Sequence, residues 1–599
     1  MRIFRRFREN IKLFVWDYID IVQNTLRYIS ISVSLFTLAT IAYYYGYQQT
    51  EESALICKII IQSSLIFYVI KYILSSIFSI HSFRYIKKNA FQGIMVLLIV
   101  VWFILSYIFK IYNHIDIFSR IEVANIENIT IVLIQLYFFI MVLFDLSSIG
   151  TLFSKFKLGP GGWMIASFFF LISLGTLLLL LPEMTVGEIR FIDALFTSTS
   201  ACCITGLTVV ETSNAFTFKG QFVIMLLMQM GGINILSFAT YLSSSFRGKT
   251  LRHQFVMKEM LKTSLHGTKP LIKEIFIYTF IIEIIGAIVL FFYYNYYHFY
   301  NESLLNNVFF SFFHSISAFN NAGFSIVEGG MTSPVFHNQF SQYVIAGLIF
   351  LGSIGFLAIN DITHNIFRRK TKQSLWSRLQ IMTKLSVAIS VILILIGAVS
   401  FFIFEYNNVS AGSSISDRIC TAIFSAVSSR TAGYSTVDHS LLTTPTVLII
   451  MLLMFIGAAP TSTGGGVKTS TFYIILKSAL ATIKGKKEVT IYNRSIPFNL
   501  VDRSYAVVLF TLSLIFIGTL ILSISDPVFS LKEVLYEVVS AIGTVGLSLG
   551  ITSKLSIIGK TVIIILMFVG RVTVLTLALS IVRRSIYTNY SLAKADINI

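Results

Sequence analysis

Charged residues are scarce in this sequence. They make up 12% of its 599 residues, half of the roughly 25% that is usual in soluble domains. Hydrophobic residues make up 55%, and they form long uncharged runs such as 163–181 and 447–467. A helical run of about 20 apolar residues spans the hydrocarbon core of a bilayer. The composition therefore excludes a soluble protein and predicts an all-α integral membrane protein.

Cysteine is also scarce, with four residues in the chain. Cys202 and Cys203 are adjacent, and neither they nor Cys57 and Cys420 have the spacing of metal ligands. This pattern excludes a zinc site and a disulfide framework. The chain also lacks an HExxH motif, a credible GxSxG elbow and a phosphate-binding glycine loop. An enzyme is therefore not expected, and neither is an organic cofactor.

The charges that are present alternate in sign between the apolar runs. Basic residues exceed acidic residues by 18 and cluster in loops such as 84–88, 247–262 and 368–372, whereas the intervening loops are poorer in them. This alternation follows the positive-inside rule, so no nucleic-acid partner is expected. It predicts a multi-pass protein of the cell (inner) membrane with both termini in the cytoplasm. The basic loops 246–270 and 477–503 suit a separate regulatory subunit and lipid headgroups equally well.

A polar, glycine-rich stretch at 155–162 (KFKLGPGG) divides the chain into two predicted parts. Residues 1–154 are predicted to form an N-terminal extension of about four transmembrane spans, near 29–47, 55–80, 91–113 and 129–152, with an interfacial helix over 1–28. Residues 155–599 are predicted to form a pore domain, because one pattern occurs there four times. The pattern is an apolar span, a shorter half-apolar segment and a second apolar span, and its four copies cover about 155–250, 265–370, 375–490 and 500–590.

The four short segments are too short to cross a bilayer and return as two helices, so each is predicted to be re-entrant. Irregular backbone at membrane depth is tolerated where it is buried in protein or lines water. We call the centres of these segments the four glycine loops. They read FTSTSACCITGLTVV (196–210), FHSISAFNNAGFSIV (313–327), FSAVSSRTAGYSTV (424–437) and YEVVSAIGTVGLSLG (536–550).

The glycine loops share a pattern of small and hydroxyl residues. They align on a central glycine that recurs every 110 to 117 residues, which indicates a repeated structural unit: Gly206, Gly323, Gly433 and Gly546. A hydroxyl residue follows two positions later in every loop: Thr208, Ser325, Ser435 and Ser548. A serine precedes the glycine by five positions in the third loop and by six in the others: Ser200, Ser317, Ser428 and Ser540.

This pattern predicts a cation filter. A dehydrated alkali cation needs several oxygen ligands at once, which backbone carbonyls supply, and glycine permits the positive φ angles that turn carbonyls inward. The half-helix before each glycine would direct the negative end of its dipole towards the cation. The predicted filter residues are Thr205, Gly206, Leu207, Thr208, Asn321, Ala322, Gly323, Phe324, Thr431, Ala432, Gly433, Tyr434, Thr544, Val545, Gly546 and Leu547. The alternative is four small-residue motifs that only allow close helix packing.

The four glycine loops, each between two spans, resemble the pore domain of the Trk/Ktr/HKT potassium transporter superfamily over about residues 155–590. The third loop, with SSRTAGYST, carries the most specific part of this resemblance. The resemblance implies a pore with pseudo-four-fold symmetry within one chain, assembly as a homodimer, and K⁺ as the transported ion. It also implies a separate cytoplasmic nucleotide-binding regulatory subunit that forms an RCK-type ring. Glycine at position 206 implies selectivity for potassium over sodium.

The second span of the third repeat is broken by residues 457–472, GAAPTSTGGGVKTSTF, which we call the interrupted segment. A proline, three consecutive glycines and six hydroxyl residues do not form a stable helix in lipid, so the segment is predicted to face water or protein below the filter. It resembles the intramembrane gating loop of the superfamily, although a simple Gly-Pro kink is the alternative. The predicted gate residues are Gly457, Pro460, Thr461, Ser462, Thr463, Gly464, Gly465, Gly466, Lys468 and Arg571.

Two ionisable residues within predicted spans are candidates for a specific role. Arg571 near the middle of the last span would cost at least about 2.5 kcal/mol in lipid, so it is expected to face the cavity and bind oxygens of residues 458–466 as a closed-state barrier. Thr573 stands where the superfamily usually has glycine. Glu283 is interpreted as a brace between spans. A proton relay at Glu283 would instead favour the alternative function, a sodium- or proton-coupled cation symporter on the same fold.

Overall fold

The structure is a computed structural model that describes residues 2–78, parts of 92–101, 160–233, 268–296, 304–367 and 374–572, apart from single residues at 337, 487 and 493. The fourth predicted span (129–152), most of the third (91–113) and most of the basic loop 246–270 lie outside the described residues.

The described residues are almost entirely helical. The helices are α1 (Arg2–Gly46), α2 (Glu51–Ile77), α3 (Pro160–Leu179), α4 (Phe191–Cys203), α5 (Thr212–Ala215), α6 (Phe218–Ile233), α7 (Thr268–Tyr296), α8 (Leu304–Phe319), α9 (Gln339–Ile354), α10 (Phe356–Phe367), α11 (Leu375–Arg378), α12 (Ile381–Phe404), α13 (Ile415–Ser428), α14 (Thr444–Phe455), α15 (Thr469–Ile483), α16 (Phe498–Ser525), α17 (Leu531–Gly543) and α18 (Ile557–Val572). Two short strands, β1 (Thr490–Ile491) and β2 (Arg494–Ser495), pair antiparallel with Thr490 opposite Ser495.

Five helices among the described residues are long and apolar enough to cross a membrane. They are residues Ile21–Gly46 of α1, α2, residues Glu274–Tyr296 of α7, α12 and α16. The pair α9 and α10 makes a sixth candidate if its two halves count as one bent span. The chain is therefore a multi-pass membrane protein, as its composition predicts.

Helix α1 is continuous from Arg2 to Gly46, whereas the sequence pattern separates an interfacial helix from the first span near residue 28. The physical reason is that no glycine or proline precedes Gly46, so nothing interrupts helical hydrogen bonding. Helix α2 begins at a capping box in which Thr50 and Ser53 exchange hydrogen bonds. The Thr37 hydroxyl of α1 donates to the Ser64 hydroxyl of α2 at 2.7 Å.

The contacts divide the chain into two compact units. The first consists of residues 1–157, 173–194 and 211–281. Within it, Lys219 Nζ donates to Glu183 Oε2 at 3.1 Å and to the Tyr45 carbonyl at 3.3 Å.

The second unit consists of residues 158–172, 195–210 and 282–599, and it contains the four glycine loops, the interrupted segment and Arg571. Helices α4, α8, α13 and α17 are 13, 16, 14 and 13 residues long, and each ends three to five residues before a central glycine. An aromatic ring ten positions before the glycine is fully buried in three loops: Phe196, Phe313 and Tyr536. These rings fix each helix in the apolar interior and so fix the loop that follows it.

Helices α9 and α10 meet at an angle of 99°. The bend lies at Gly355, whose φ is +98°, a conformation that residues with side chains rarely adopt. The sequence pattern did not predict this bend, because Gly355 stands in an apolar stretch that is typical of a continuous span.

Candidate functional site

The four central glycines lie next to one another in a closed ring. A Cβ built on Gly206 would lie 3.1 Å from the Cα of Gly323, and one on Gly323 would lie 3.3 Å from the Cα of Gly433. A Cβ on Gly433 would lie 3.0 Å from the Cα of Gly546, and one on Gly546 would lie 3.0 Å from the Cα of Gly206. Residues that are more than 100 positions apart in sequence are therefore in contact, in the order of the chain.

Each glycine also faces a backbone carbonyl of the next loop. A Cβ on Gly206 would lie 2.6 Å from the carbonyl oxygen of Ala322, and one on Gly323 would lie 2.6 Å from that of Ala432. The same construction on Gly433 and Gly546 meets the carbonyl oxygens of Val545 and Thr205. The four glycines have φ angles of +86°, +69°, +75° and +96° in chain order. Both the space and the dihedral angle therefore require glycine at these positions.

A second left-handed residue stands two positions before each glycine. These residues are Ile204 (φ +57°), Asn321 (+58°), Thr431 (+90°) and Thr544 (+49°). A positive φ is uncommon for residues with a Cβ and costs on the order of 1–3 kcal/mol. The same strained geometry at the same position of all four loops is held by the surrounding structure, and such strain is typical of functional sites.

The serine that precedes each glycine fastens its loop to the helix before it. In all four loops the serine carbonyl accepts a hydrogen bond of 2.8 or 2.9 Å from the backbone N–H of the residue before the glycine: Thr205, Ala322, Ala432 and Val545. In the first and fourth loops the serine hydroxyl also accepts from the glycine N–H, with 3.1 Å between Ser200 Oγ and Gly206 N and between Ser540 Oγ and Gly546 N. These bonds explain the spacing of serine and glycine in the sequence.

In the second and third loops the serine hydroxyl donates instead to the carbonyl after the glycine. Ser317 donates to the Phe324 carbonyl at 2.9 Å, and Ser428 donates to the Tyr434 carbonyl. The Tyr434 hydroxyl donates to the same Phe324 carbonyl at 3.0 Å. The loops therefore fall into two pairs with different hydrogen bonding.

Two buried ionisable residues lie behind the glycine loops, and sequence reasoning missed both. Glu537 accepts hydrogen bonds from the hydroxyls of Ser548, at 2.8 Å, and Thr552. The Nδ1–H of neutral His314 donates to the Phe310 carbonyl at 2.9 Å, so Nε2 accepts from the Ser325 hydroxyl at 3.0 Å. Both stand nine positions before a central glycine, and this shared offset was the available signal.

The interrupted segment lies against the third and fourth glycine loops. Helix α14 ends at Phe455 and α15 begins at Thr469, so the helix resumes four residues earlier than the predicted position, 473. The Gly465 N–H donates to the Thr544 hydroxyl at 3.0 Å. A Cβ on Gly464 would collide with the Thr431 hydroxyl. The triple glycine therefore lets the segment approach the left-handed residues of both loops.

The bend between α9 and α10 also contacts the interrupted segment. The Phe356 N–H donates to the Thr461 carbonyl at 3.2 Å, and the Ala459 N–H donates to the Ser353 carbonyl at 3.0 Å. A Cβ on Gly355 would lie 2.5 Å from the Pro460 carbonyl oxygen. The predicted gate residues Thr461 and Pro460 thus contact a helix corner that the sequence did not reveal, and Ser462 donates locally to the Ala459 carbonyl at 2.5 Å.

Cationic side chains donate to backbone carbonyls of the interrupted segment. Arg571 Nη1 donates to the Thr463 carbonyl, which is the kind of partner expected for it, and its guanidinium lies 5.9 Å from the centre of the Phe168 ring. Lys468 Nζ donates to the Gly464 carbonyl at 2.5 Å. The segment therefore presents its carbonyl oxygens to fixed positive charge.

Arg430 is a third cation at this segment, and sequence reasoning did not assign it a role. Its side chain is 1% exposed, although the residue stands only three positions before Gly433. Nη2 donates to the Gly457 carbonyl at 3.0 Å, and Nη1 lies 3.5 Å from the Ser390 carbonyl. Arg430 therefore links the third glycine loop to the first residue of the interrupted segment.

Glu283 lies beside the second glycine loop. It is 2% exposed, and its Oε1 accepts from the Asn320 amide at 2.9 Å. The Ser315 hydroxyl donates to the Glu283 main-chain carbonyl at 2.7 Å. These contacts join α7 to α8 and agree with the interpretation of Glu283 as a brace.

Known proteins share this sequence and fold over most of the chain. A family profile described as "Cation transport protein" (TrkH) matches residues 163–587. The Ktr system potassium uptake protein B of Bacillus subtilis is 36% identical over 428 residues, which cover 71% of this chain and 93% of that protein. The protein of the same name from Vibrio alginolyticus is 33% identical over 437 residues, covering 72% and 92% of the two chains.

A solved structure gives the same result for the fold. The crystal structure of the potassium transporter TrkH from Vibrio parahaemolyticus matches with a TM-score of 0.58 and covers 75% of this chain and 91% of that chain, at 18% identity. The sequence relatives exceed 30% identity over more than 90% of their own length. On these grounds the chain belongs to the TrkH family of cation transport proteins.

Proposed function

We propose that this protein takes up potassium across the cell membrane through the ring of four glycine loops. Two observations support the proposal. The relatives reported above are named potassium uptake proteins and align along almost their whole length. The ring of four glycines with positive φ, each facing a carbonyl oxygen, is the observation that carries it.

In this proposal the ion loses its water and binds backbone carbonyl oxygens of the four glycine loops. In each loop two residues with positive φ flank a residue whose φ is not positive, and this alternation turns successive carbonyls towards the same side of the chain. Four such loops supply a ring of oxygens that replaces the hydration shell of K⁺. Helices α4, α8, α13 and α17 end at the ring and direct partial negative charge towards it. The pore is then formed by four repeats of span, re-entrant loop and span within one chain.

The interrupted segment and Arg571 serve as the gate in this proposal. Fixed positive charge where water is scarce opposes the passage of a cation, and Arg571 is hydrogen-bonded to the segment through Thr463. Release of that contact would open the path. The contacts of Gly465 and Gly464 with the third and fourth glycine loops support a location directly beside the filter.

The remaining features of the proposal concern assembly and orientation. The extension of four spans over 1–154 precedes the pore domain over 155–599, and both termini lie in the cytoplasm. The protein forms a homodimer and binds a separate RCK-type nucleotide-binding subunit at its basic cytoplasmic loops. The charge alternation of the sequence and membership of the family support these features.

A sodium- or proton-coupled cation symporter is the second candidate. The burial of Glu283 beside the second glycine loop is the observation that favours it, because an ionisable residue within a membrane span is a functional candidate.

The test is rubidium or potassium flux into liposomes that contain the purified protein. We expect uptake that follows the potassium gradient alone and that excess sodium does not inhibit. Flux that requires a sodium or proton gradient, and that fails in a Glu283→Gln variant, would select the symporter. Liposomes without protein give the background, and flux at that background would contradict both candidates.

A further inference from the structure

The carbonyl oxygen of Phe324, directly after the second central glycine, is already bound by two hydroxyl groups. Ser317 donates to it at 2.9 Å and Tyr434 donates to it at 3.0 Å. A carbonyl oxygen has two lone pairs, so both are occupied. Phe324 is fully buried, so water does not compete with these two bonds.

The neighbouring third loop resembles the second in this respect. The Tyr434 carbonyl accepts from the Ser428 hydroxyl. In the first and fourth loops the serines bind the glycine N–H instead. Among the described residues, no hydrogen bond is made to the carbonyl oxygens of Leu207 or Leu547, which occupy the same position.

We infer that Tyr434 determines ion specificity by holding the Phe324 carbonyl out of the ion path. The four carbonyl oxygens that directly follow the central glycines are then not equivalent. Those of the first and fourth loops are free to bind an ion, and those of the second and third loops are not. The inference rests on the proposed function and deepens it, since it assigns a positioning role to a side-chain hydroxyl rather than to a backbone group.

Packing of the core does not by itself account for the hydrogen bond that the Tyr434 hydroxyl makes. Tyr294 lies in the same buried cluster, is 2% exposed, and among the described residues its hydroxyl has no hydrogen-bond partner. The core therefore tolerates an unpaired tyrosine hydroxyl. The Tyr434 hydroxyl spans two loops that are 110 positions apart and meets a filter carbonyl, which a packing role does not require.

The test compares Tyr434→Phe with Tyr294→Phe in the liposome assay, with the ratio of potassium to sodium uptake as the readout. Tyr434→Phe keeps the ring and removes one bond to Phe324, so the carbonyl becomes free to move and discrimination weakens. We expect the ratio to fall about two- to tenfold, the range that one net hydrogen bond represents in an equilibrium. Tyr294→Phe should leave the ratio unchanged.

Ser317→Ala provides a second variant, because it removes the other donor to the same carbonyl and should lower the ratio in the same direction. It keeps the proposal testable if Tyr434→Phe is not recovered as folded protein. An unchanged ratio in whichever of these variants folds would overturn the inference while the proposed function stands. Absence of potassium flux in the unmodified protein would overturn the proposed function itself.

Discussion

At the residue scale, backbone conformation rather than side-chain chemistry defines the site. Glycine is required at four positions because φ is positive and a neighbouring carbonyl occupies the space of a Cβ. The sequence predicted these positions from spacing alone. It could not predict the left-handed conformation of Ile204, Thr431 and Thr544, because isoleucine and threonine do not favour it and only the surrounding loops enforce it, whereas the asparagine at position 321 adopts it more readily.

We predict that Gly206→Ala strongly reduces potassium uptake and weakens its selectivity over sodium. The new Cβ would lie 2.6 Å from the Ala322 carbonyl oxygen at a φ of +86°, so the first loop must move. Uptake into liposomes measures the effect. Gly347→Ala is the matched control, because nothing lies within 4 Å of its Cβ position. Normal uptake and selectivity in Gly206→Ala would contradict the filter.

Arg571 gives a prediction about the gate. Arg571→Gln and Arg571→Ala should both raise potassium leak severalfold in liposomes without any regulatory subunit, because a fixed charge beside the path is removed. Arg418→Gln is the control, since the Arg418 guanidinium lies 4.1 Å from the centre of the Tyr406 ring and its Nε donates to the Ser413 carbonyl, neither of which belongs to the interrupted segment. Leak equal to that of the unmodified protein in both Arg571 variants would remove the proposed barrier.

At the scale of elements, the four helices before the glycine loops could be predicted from the sequence, whereas the bend between α9 and α10 could not. Two of these helices start at cap residues, Ser414 and Ser530, and all four end shortly before a central glycine, so local signals carry much of the prediction. The bend at Gly355 could not be predicted, because its cause is the distant interrupted segment. Arg430 was missed for the same reason, since its carbonyl partners are 27 and 40 positions away.

The bend supplies a prediction for the element that it supports. Gly355→Ala places a Cβ 2.5 Å from the Pro460 carbonyl oxygen at a φ of +98°, which should displace the interrupted segment. We expect a lower thermal unfolding midpoint and increased potassium leak, with a smaller change in selectivity than Gly206→Ala produces. Gly347→Ala within the preceding helix, α9, controls for the added methyl group. An unchanged midpoint and leak would show that the corner does not position the segment.

At the scale of the whole molecule, composition was enough to predict a multi-pass membrane protein, and the resemblance carried by the four glycine loops was enough to predict its family. The division at residue 154, the count of extra spans and the assembly remain predictions. Each of the two compact units is built from three separate stretches of the chain. The stretch 195–210, for example, groups with the other glycine loops, whereas the residues on either side of it belong to the first unit. Such long-range grouping depends on tertiary contacts that no local pattern records.

The assembly prediction is tested by the mass of the purified protein in detergent. A homodimer should have twice the 67.4 kDa of one chain after correction for bound detergent, and light scattering coupled to size-exclusion chromatography measures it. Most soluble oligomers are homo-oligomers with closed symmetry, and two-fold dimers are the commonest. A mass of one chain across the concentration range would contradict the dimer.

The most direct measurement of the central claim is an anomalous difference map from crystals of the protein grown in a rubidium salt. Rubidium substitutes for potassium and scatters anomalously, so an anomalous peak distinguishes the bound ion from water and from lighter ions. The account predicts a peak inside the ring of Gly206, Gly323, Gly433 and Gly546, within coordination distance of backbone carbonyl oxygens from all four loops. A map without a peak in that ring, or with rubidium bound only elsewhere, would contradict it.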